Sequence, residues 1–143
     1  MINKQKKTVR DIEELKNKKI GFISLGCDKN KVDLEEMMND LSSFGFMFSD
    51  VDSAEIVIIN TCAFILSARQ EAINNILEMI KLKQNGVLET IIVTGCLSQR
   101  YLDELKKSLP EVDEFVQIKD NDKIVEIIAN LYNQELKFNC KNE

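Results

Sequence analysis

The sequence predicts an α/β fold: a doubly wound, mostly parallel five-stranded sheet with helices on both faces. Three apolar runs, KIGFISL, EIVIIN and TIIVTG, each lead into a segment with the periodicity of a helix. These runs recur about every 35 residues, and a βαβ unit needs roughly 30 residues or more. Strands that alternate with helices in this way imply a parallel sheet whose two faces are covered by the helices.

Five segments are predicted as strands because they are short, apolar and rich in β-branched or aromatic residues. Their limited alternation is typical of strands that are covered on both faces. They are Lys19–Leu25, Phe46–Phe48, Ile56–Ile59, Thr90–Thr94 and Phe115–Ile118. With right-handed crossovers, the doubly wound solution has the flavodoxin-like order 2-1-3-4-5, in which strands 1, 3 and 4 are neighbours.

Four helices are predicted from apolar residues at helical spacing. Their inward faces are, in chain order, Leu34, Met37, Met38 and Leu41; Ile73, Ile76, Leu77 and Ile80; Tyr101, Leu102 and Leu105; and Ile124, Ile127, Ile128 and Leu131. Side-chain caps are predicted at Asp28 or Asn30, at Ser67, and at Asn121 or Asp122. Gly45 and Asn85–Gly86 are predicted to end the first two helices, and Pro110 follows the third.

The chain has 143 residues, which predicts one domain at residues 18–133, preceded by an N-terminal extension at 1–17 and followed by a polar linker at 134–143. No apolar run approaches the ~20 residues of a membrane span, and the polar start lacks the apolar core of a signal peptide. We therefore expect a cytoplasmic protein without membrane contact. The net charge is −5 and the basic residues form no stripe, so no direct nucleic-acid binding by this domain is expected.

Three of the four cysteines, Cys27, Cys62 and Cys96, follow predicted strands 1, 3 and 4. Neighbouring strands lie ~4.8 Å apart, so we expect the three thiols within roughly 10 Å of one another at one edge of the sheet. That edge contains the switch point where ligands bind in this fold. Free cysteines are also common as small buried hydrophobes, but scattered core residues would not be expected to converge. Cys140 follows no strand and is given no role.

The remaining composition narrows the chemistry of such a site. The chain has no histidine, which excludes Ser–His and Cys–His catalytic pairs and mixed Cys/His zinc sites. It also lacks the CxxC pairs of structural zinc sites, a phosphate-binding loop for a flavin after strand 1, and the arginine of a phosphate-handling cysteine loop. An iron–sulfur cluster fits best, since thiolates are its natural ligands and three of them leave one iron of a four-iron cluster open.

Two other interpretations remain open at this point. The chain could be a non-enzymatic interaction module of flavodoxin-like shape whose cysteines are simply reduced. It could also be a thiol redox module that forms a Cys27–Cys62 or a Cys62–Cys96 disulfide, although disulfides are rare in a reducing compartment.

The three cysteines stand in extended motifs. These are Gly26-Cys27-Asp28-Lys29-Asn30 followed by Val32-Asp33 and Glu35; Asn60-Thr61-Cys62 followed by Phe64-Ile65; and Val93-Thr94-Gly95-Cys96-Leu97 followed by Gln99-Arg100-Tyr101. In order and spacing they resemble the RimO-like ribosomal protein aspartate methylthiotransferases of the radical S-adenosylmethionine methylthiotransferase family. Leu109–Asp113 is similar to a further stretch of that family, and the resemblance covers residues 18–132. The Lys29-Asn30 pair is more similar to this branch than to the tRNA-modifying branch, which remains the alternative.

This resemblance implies that the chain is the N-terminal methylthiotransferase domain of such an enzyme. It implies that Cys27, Cys62 and Cys96 bind an auxiliary [4Fe–4S] cluster, whose open iron carries the sulfur to be transferred. The implied reaction methylthiolates an aspartate of a small-subunit ribosomal protein. A second [4Fe–4S] cluster and S-adenosylmethionine are expected in a separate radical domain, because this sequence has no CxxxCxxC motif. The expected partners are therefore that domain of the same full-length protein and the ribosomal protein, and this domain alone, with no catalytic residue of its own, is not expected to turn over.

Five residues beside the cysteines are predicted to shape the cluster pocket: Gly26, Asn30, Asn60, Thr61 and Gly95. The two glycines would let the backbone approach the cluster closely. The polar side chains would donate hydrogen bonds to sulfur. The alternative role for the polar residues is helix capping and strand termination.

Overall fold

The strands form one parallel sheet. The computed structural model describes residues 15, 17–25, 28–61, 66–86, 88–95, 102–117 and 123–132, and in it the strand order is β2-β1-β3-β4-β5. The bounds are β1 Lys19–Ser24, β2 Met47–Phe48, β3 Ile56–Thr61, β4 Thr90–Gly95 and β5 Glu114–Val116. Every neighbouring pair is parallel, which confirms the predicted fold class and strand order.

Helices alternate with these strands in the described part of the chain. Their bounds are α1 Asp28–Phe44, α2 Leu66–Gln84, α3 Leu102–Ser108 and α4 Ile124–Leu131, and a single 3-10 turn, Val51–Ser53, leads from β2 to β3. The first two helices end as predicted at Gly45 (φ 120°) and at Gly86 (φ 87°), a backbone conformation that glycine adopts most readily. None of the described helices combines the length and the apolar character needed to cross a bilayer.

Two apolar clusters cover the two faces of the sheet. Val57 and Ile59 of β3 belong to the cluster formed with α2 and α3. Ile56 and Ile58 of the same strand belong to the cluster formed with α1 and α4. Every residue of β3 and of β4 is buried, because successive side chains point to opposite faces and both faces are covered.

The predicted inward faces of α1 and α4 are confirmed. Leu34, Met37 and Leu41 of α1 are buried, as are Ile124 and Ile128 of α4, and the other predicted residues of both faces pack against the same cluster. The N-cap of α4 is Lys123, which makes no side-chain capping bond, rather than the predicted Asn121 or Asp122. On α3 the predicted burial of Leu105 is confirmed; the side chains of Tyr101 and Leu102 lie outside what the structure describes.

The inward face of α2 differs from the prediction. Ile76 and Ile80 are buried and Ile73 packs against the same cluster, as expected, but Leu77 is 43% exposed, and Ala72 and Met79 are buried in its place. The helix therefore turns the side that carries Ala72, Ile76, Met79 and Lys83 towards the core. The predicted cap Ser67 is also wrong, because α2 begins at Leu66.

An ion pair lies at the C-terminal end of α2, on the same side of the helix as Met79. Lys83 Nζ lies 2.8 Å from Asp113 Oδ2 and donates a 2.7 Å hydrogen bond to the carbonyl oxygen of Glu111. The same carboxylate oxygen accepts a 2.9 Å hydrogen bond from the backbone N–H of Ile91 in β4. The Asp113 side chain is only 2% exposed, so its charge needs these partners, and Lys83 must face the sheet to provide one.

The chain before β1 contributes to the core. Leu15 is fully buried in the cluster formed with α1 and α4. At least this residue of the predicted extension therefore packs on the domain. Residues 1–14 and 16 lie outside the described residues.

Candidate functional site

The carboxyl ends of β1, β3 and β4 lie side by side at one edge of the sheet. Ser24 pairs with Asn60, and Asn60 pairs with Thr94. The last pair of the β3–β4 ladder is Thr61 with Gly95. Beyond β1, the backbone N–H of Leu25 donates a 2.8 Å hydrogen bond to the carbonyl oxygen of Asn60. The edge therefore contains the switch point between β1 and β3, where ligands bind in doubly wound folds.

The predicted ligands follow these strand ends in sequence. Cys62 comes directly after Thr61 and Cys96 directly after Gly95, whereas Cys27 comes three residues after Ser24. The three cysteines, Gly26 and Cys140 lie outside the described residues, so the convergence of the thiols stays a prediction. Among the residues that the structure does describe, no group of three or more His, Cys, Asp or Glu side chains is arranged to hold a metal ion.

A set of buried polar residues lies at this edge. Asn60 is 1% exposed, and Thr61 and Thr94 are fully buried. The Thr61 hydroxyl donates a 2.7 Å hydrogen bond to the carbonyl oxygen of Thr94. A hydroxyl has a single proton to donate, so in this structure the Thr61 proton is used between the strands, in keeping with the strand-termination alternative for this residue.

Gly95 is where the two strand ends come closest. Its φ is 101°, and a Cβ built on it would lie 2.7 Å from both Asn60 Oδ1 and the backbone nitrogen of Thr61. It would also collide with the carbonyl oxygen of Thr61. Glycine is therefore needed here both for its backbone conformation and for the close approach of β3.

The other two predicted pocket residues, Gly26 and Asn30, stay untested. Gly26 lies outside the described residues. Asn30 lies in the first turn of α1, and its side chain is outside what the structure describes. Thr94, in contrast, was not predicted as a site residue, although its carbonyl joins the two strand ends. The available signal was its place two residues before Cys96 at the end of predicted strand 4, the same spacing as Asn60 before Cys62.

Comparison with known proteins agrees with the cysteine motifs. The model of a family described as uncharacterized protein family UPF0004 matches residues 19–117. Over 120 residues the chain is 48% identical to the ribosomal protein uS12 methylthiotransferase RimO of Caldicellulosiruptor saccharolyticus, covering 83% of this chain and 27% of that protein.

Two further relatives carry the same name. The protein of Alkaliphilus oremlandii is 51% identical over 117 residues, covering 81% of this chain and 26% of the relative. That of Acetivibrio thermocellus is 47% identical over 127 residues, covering 88% of this chain and 27% of the relative. The chain thus spans about a quarter of the length of these relatives. It belongs to the uncharacterized protein family UPF0004, and over most of its length it is similar to the proteins named RimO, in keeping with the resemblance of its three cysteine motifs.

Proposed function

We propose that this domain binds an auxiliary [4Fe–4S] cluster through Cys27, Cys62 and Cys96. The observation that carries the proposal is the pairing of Thr61 with Gly95. The positions of Cys62 and Cys96 each follow a member of that pair, and β1, which leads to Cys27, is the other neighbour of β3. Three thiolates from three adjacent strand ends form a donor set suited to an iron–sulfur cluster.

The residues around this donor set support anionic sulfur ligands. Helix α1 begins at Asp28, directly after Cys27, and the N-terminal end of a helix stabilises nearby negative charge. Asn60, Thr61 and Thr94 are buried, so the ends of β3 and β4 bring shielded polar groups to the proposed site. When bound, a cluster with three protein ligands supplies one iron that is open to a sulfur-containing group.

The names of the relatives support a proposal for the whole protein. We propose that residues 18–133 form the N-terminal domain of a cytoplasmic methylthiotransferase that modifies an aspartate of a small-subunit ribosomal protein. Residues 134–143 would lead to a radical domain that carries the second cluster and binds S-adenosylmethionine. Because this sequence has no CxxxCxxC motif, the 143-residue chain alone should cleave no S-adenosylmethionine.

The cluster proposal is tested by anaerobic reconstitution of the 143-residue chain with iron and sulfide. We expect about four irons per chain and the broad visible absorption of a thiolate-ligated cluster. Cys27→Ala, Cys62→Ala and Cys96→Ala should each bind less iron, because each removes one ligand. Cys140→Ala is the matched control and should bind as much iron as the unaltered chain.

The competing interpretations give different results in the same experiment. A colourless protein without iron, unchanged by Cys27→Ala, would contradict the cluster. Formation of a disulfide among Cys27, Cys62 and Cys96 under mild oxidation, without iron binding, would support the thiol redox module. Neither result affects the family assignment, which depends on sequence identity.

A further inference from the structure

The ends of β3 and β4 are joined by a contact outside the regular backbone ladder. The Thr61 hydroxyl reaches across to the carbonyl oxygen of Thr94 at 2.7 Å, and both residues are fully buried. Thr61 itself is paired with Gly95. The side-chain bond therefore reinforces the last strand pair at the point where both strands leave the sheet.

Gly95 contributes to the same junction by lacking a side chain. A Cβ at this position would meet Asn60 Oδ1 and the backbone of Thr61, so any other residue would have to push the two strand ends apart. Gly86 provides a contrast, because its φ is also positive (87°) but a Cβ there would meet nothing within 4 Å. Gly86 is therefore needed for backbone conformation only, and Gly95 also for close approach.

We propose that Thr61 and Gly95 are positioning residues for the cluster ligands. Together with Thr94 they form what we call the strand-end clamp. Cys62 directly follows Thr61 and Cys96 directly follows Gly95, and adjacent Cα atoms in a chain are ~3.8 Å apart. By fixing Thr61 and Gly95, the clamp limits where the backbone of the two cysteines can lie. This inference rests on the proposed function: it assigns a role to residues that would not touch the cluster but would hold two of its ligands at a set separation.

The first test compares Thr61, at the carboxyl end of β3, with Thr90, at the amino end of the neighbouring strand β4. Thr61→Val removes the clamp hydroxyl without changing the shape of the side chain, and Thr61→Ser keeps the hydroxyl. Thr90→Val is the matched control, since Thr90 is also fully buried and loses one hydrogen bond, to Tyr132 at the amino end of β4. Each variant is reconstituted anaerobically, and iron release to a chelator and the electron paramagnetic resonance spectrum of the reduced cluster are recorded.

For Thr61→Val we expect iron release about tenfold faster or more, as for other residues that orient metal ligands, with a changed resonance spectrum. Thr61→Ser, which keeps the hydroxyl, should have the iron-release rate and the resonance spectrum of the unaltered chain. Thr90→Val should lower the melting temperature by an amount similar to Thr61→Val but leave iron release and the spectrum unchanged.

A second pair tests the close approach. Gly95→Ala should lower the iron content of the reconstituted chain. Gly86→Ala introduces backbone strain without a steric clash and should leave the iron content unchanged. Far-ultraviolet circular dichroism checks that each variant is folded. If Gly95→Ala does not fold, the Thr61 variants alone test the inference.

The outcomes separate this inference from the proposed function. If the unaltered chain binds iron and Thr61→Val releases it at the same rate with the same spectrum, the clamp has no positioning role. Equal effects of Thr61→Val and Thr90→Val would also overturn it, because loss of stability alone would then explain both. If the unaltered chain binds no iron, the cluster proposal fails and the clamp fails with it.

Discussion

Buried polar side chains lie at both ends of the central strands. At the carboxyl end, Thr61 is bonded to Thr94. At the amino end, Thr90 Oγ1 lies 2.8 Å from the phenol oxygen of Tyr132, and both residues are almost completely buried. A buried hydroxyl without a partner destabilises the folded state, so these pairs are a condition for burying polar residues inside an apolar sheet.

Tyr132 is the centre of the amino-end network. Its hydroxyl donates a 2.9 Å hydrogen bond to Glu89 Oε1, so its single proton is used and Thr90 must donate to it. Lys18 Nζ lies 3.1 Å from the same carboxylate oxygen and 5.6 Å from the centre of the Tyr132 ring. Burial is the main cause that raises the pKa of Tyr132 far above its usual value of 10.0, and the nearby Glu89 charge adds to it.

This raised pKa predicts a stability loss at high pH. Because the folded state disfavours the phenolate, the contribution of Tyr132 is fully present below about pH 10 and is lost as the pH rises further, at up to about 1.4 kcal/mol per pH unit. Urea unfolding between pH 8 and 11 should show this slope for the unaltered chain. Tyr132→Phe should be less stable by about 1–2 kcal/mol at pH 8 and should lack that part of the slope.

The comparison with Tyr132→Phe isolates the phenol, because the two proteins differ in no other titratable group. Parallel stability curves for the two proteins from pH 8 to 11 would contradict the assigned role. Absorbance at 295 nm gives an independent check, since one of the two tyrosines should ionise only when the protein unfolds.

At the scale of elements, the periodicity of α2 does not by itself decide which side of the helix faces the core. Its sequence contains two overlapping apolar stripes, one through Leu77 and one through Met79. The second is buried, and it continues to Lys83, which pairs with Asp113. Sequence patterns usually assign lysine to the solvent side, so they point to the wrong stripe.

A pair of neighbouring substitutions tests this orientation. Ile76→Ala should lower the free energy of unfolding by about 2–4 kcal/mol, since it leaves a cavity in a fully buried position. Leu77→Ala removes a side chain of the same size from a 43% exposed position and should cost about 1 kcal/mol or less. Chemical denaturation of both variants provides the measurement, and equal losses would show that Leu77 faces the core.

At the scale of the whole molecule, three of the five strands lead to the proposed ligands, so metal binding and folding should be linked. A ligand that binds only the folded state stabilises it by about 4 kcal/mol when present at a thousand times its dissociation constant. We therefore expect the reconstituted chain to unfold at a higher urea concentration than the iron-free chain under anaerobic conditions. Cys62→Ala should show no such difference, and an unchanged midpoint for the unaltered chain would contradict the linkage.

The fold could be predicted from the sequence because the main signals for its strands and helices are local. Apolar runs such as EIVIIN and TIIVTG identify the buried central strands, and the helical segments between them imply parallel pairing with right-handed crossovers. The order β2-β1-β3-β4-β5 then follows for a sheet of this size. It places the strand ends before Cys27, Cys62 and Cys96 on neighbouring strands, which is as far as the sequence leads towards the site.

Contacts between distant residues were decided only by the tertiary structure. The Thr61–Thr94 bond spans 33 residues of sequence and the Lys83–Asp113 pair spans 30. Such contacts depend on strand register and helix rotation, which no local pattern encodes. The sequence by itself thus determined the sheet, its order and which cysteines follow adjacent strands. The tertiary structure decided that Thr61 bonds to its neighbouring strand, that Gly95 permits the close approach, and that α2 turns Leu77 outward, because each of these depends on a partner brought near by folding.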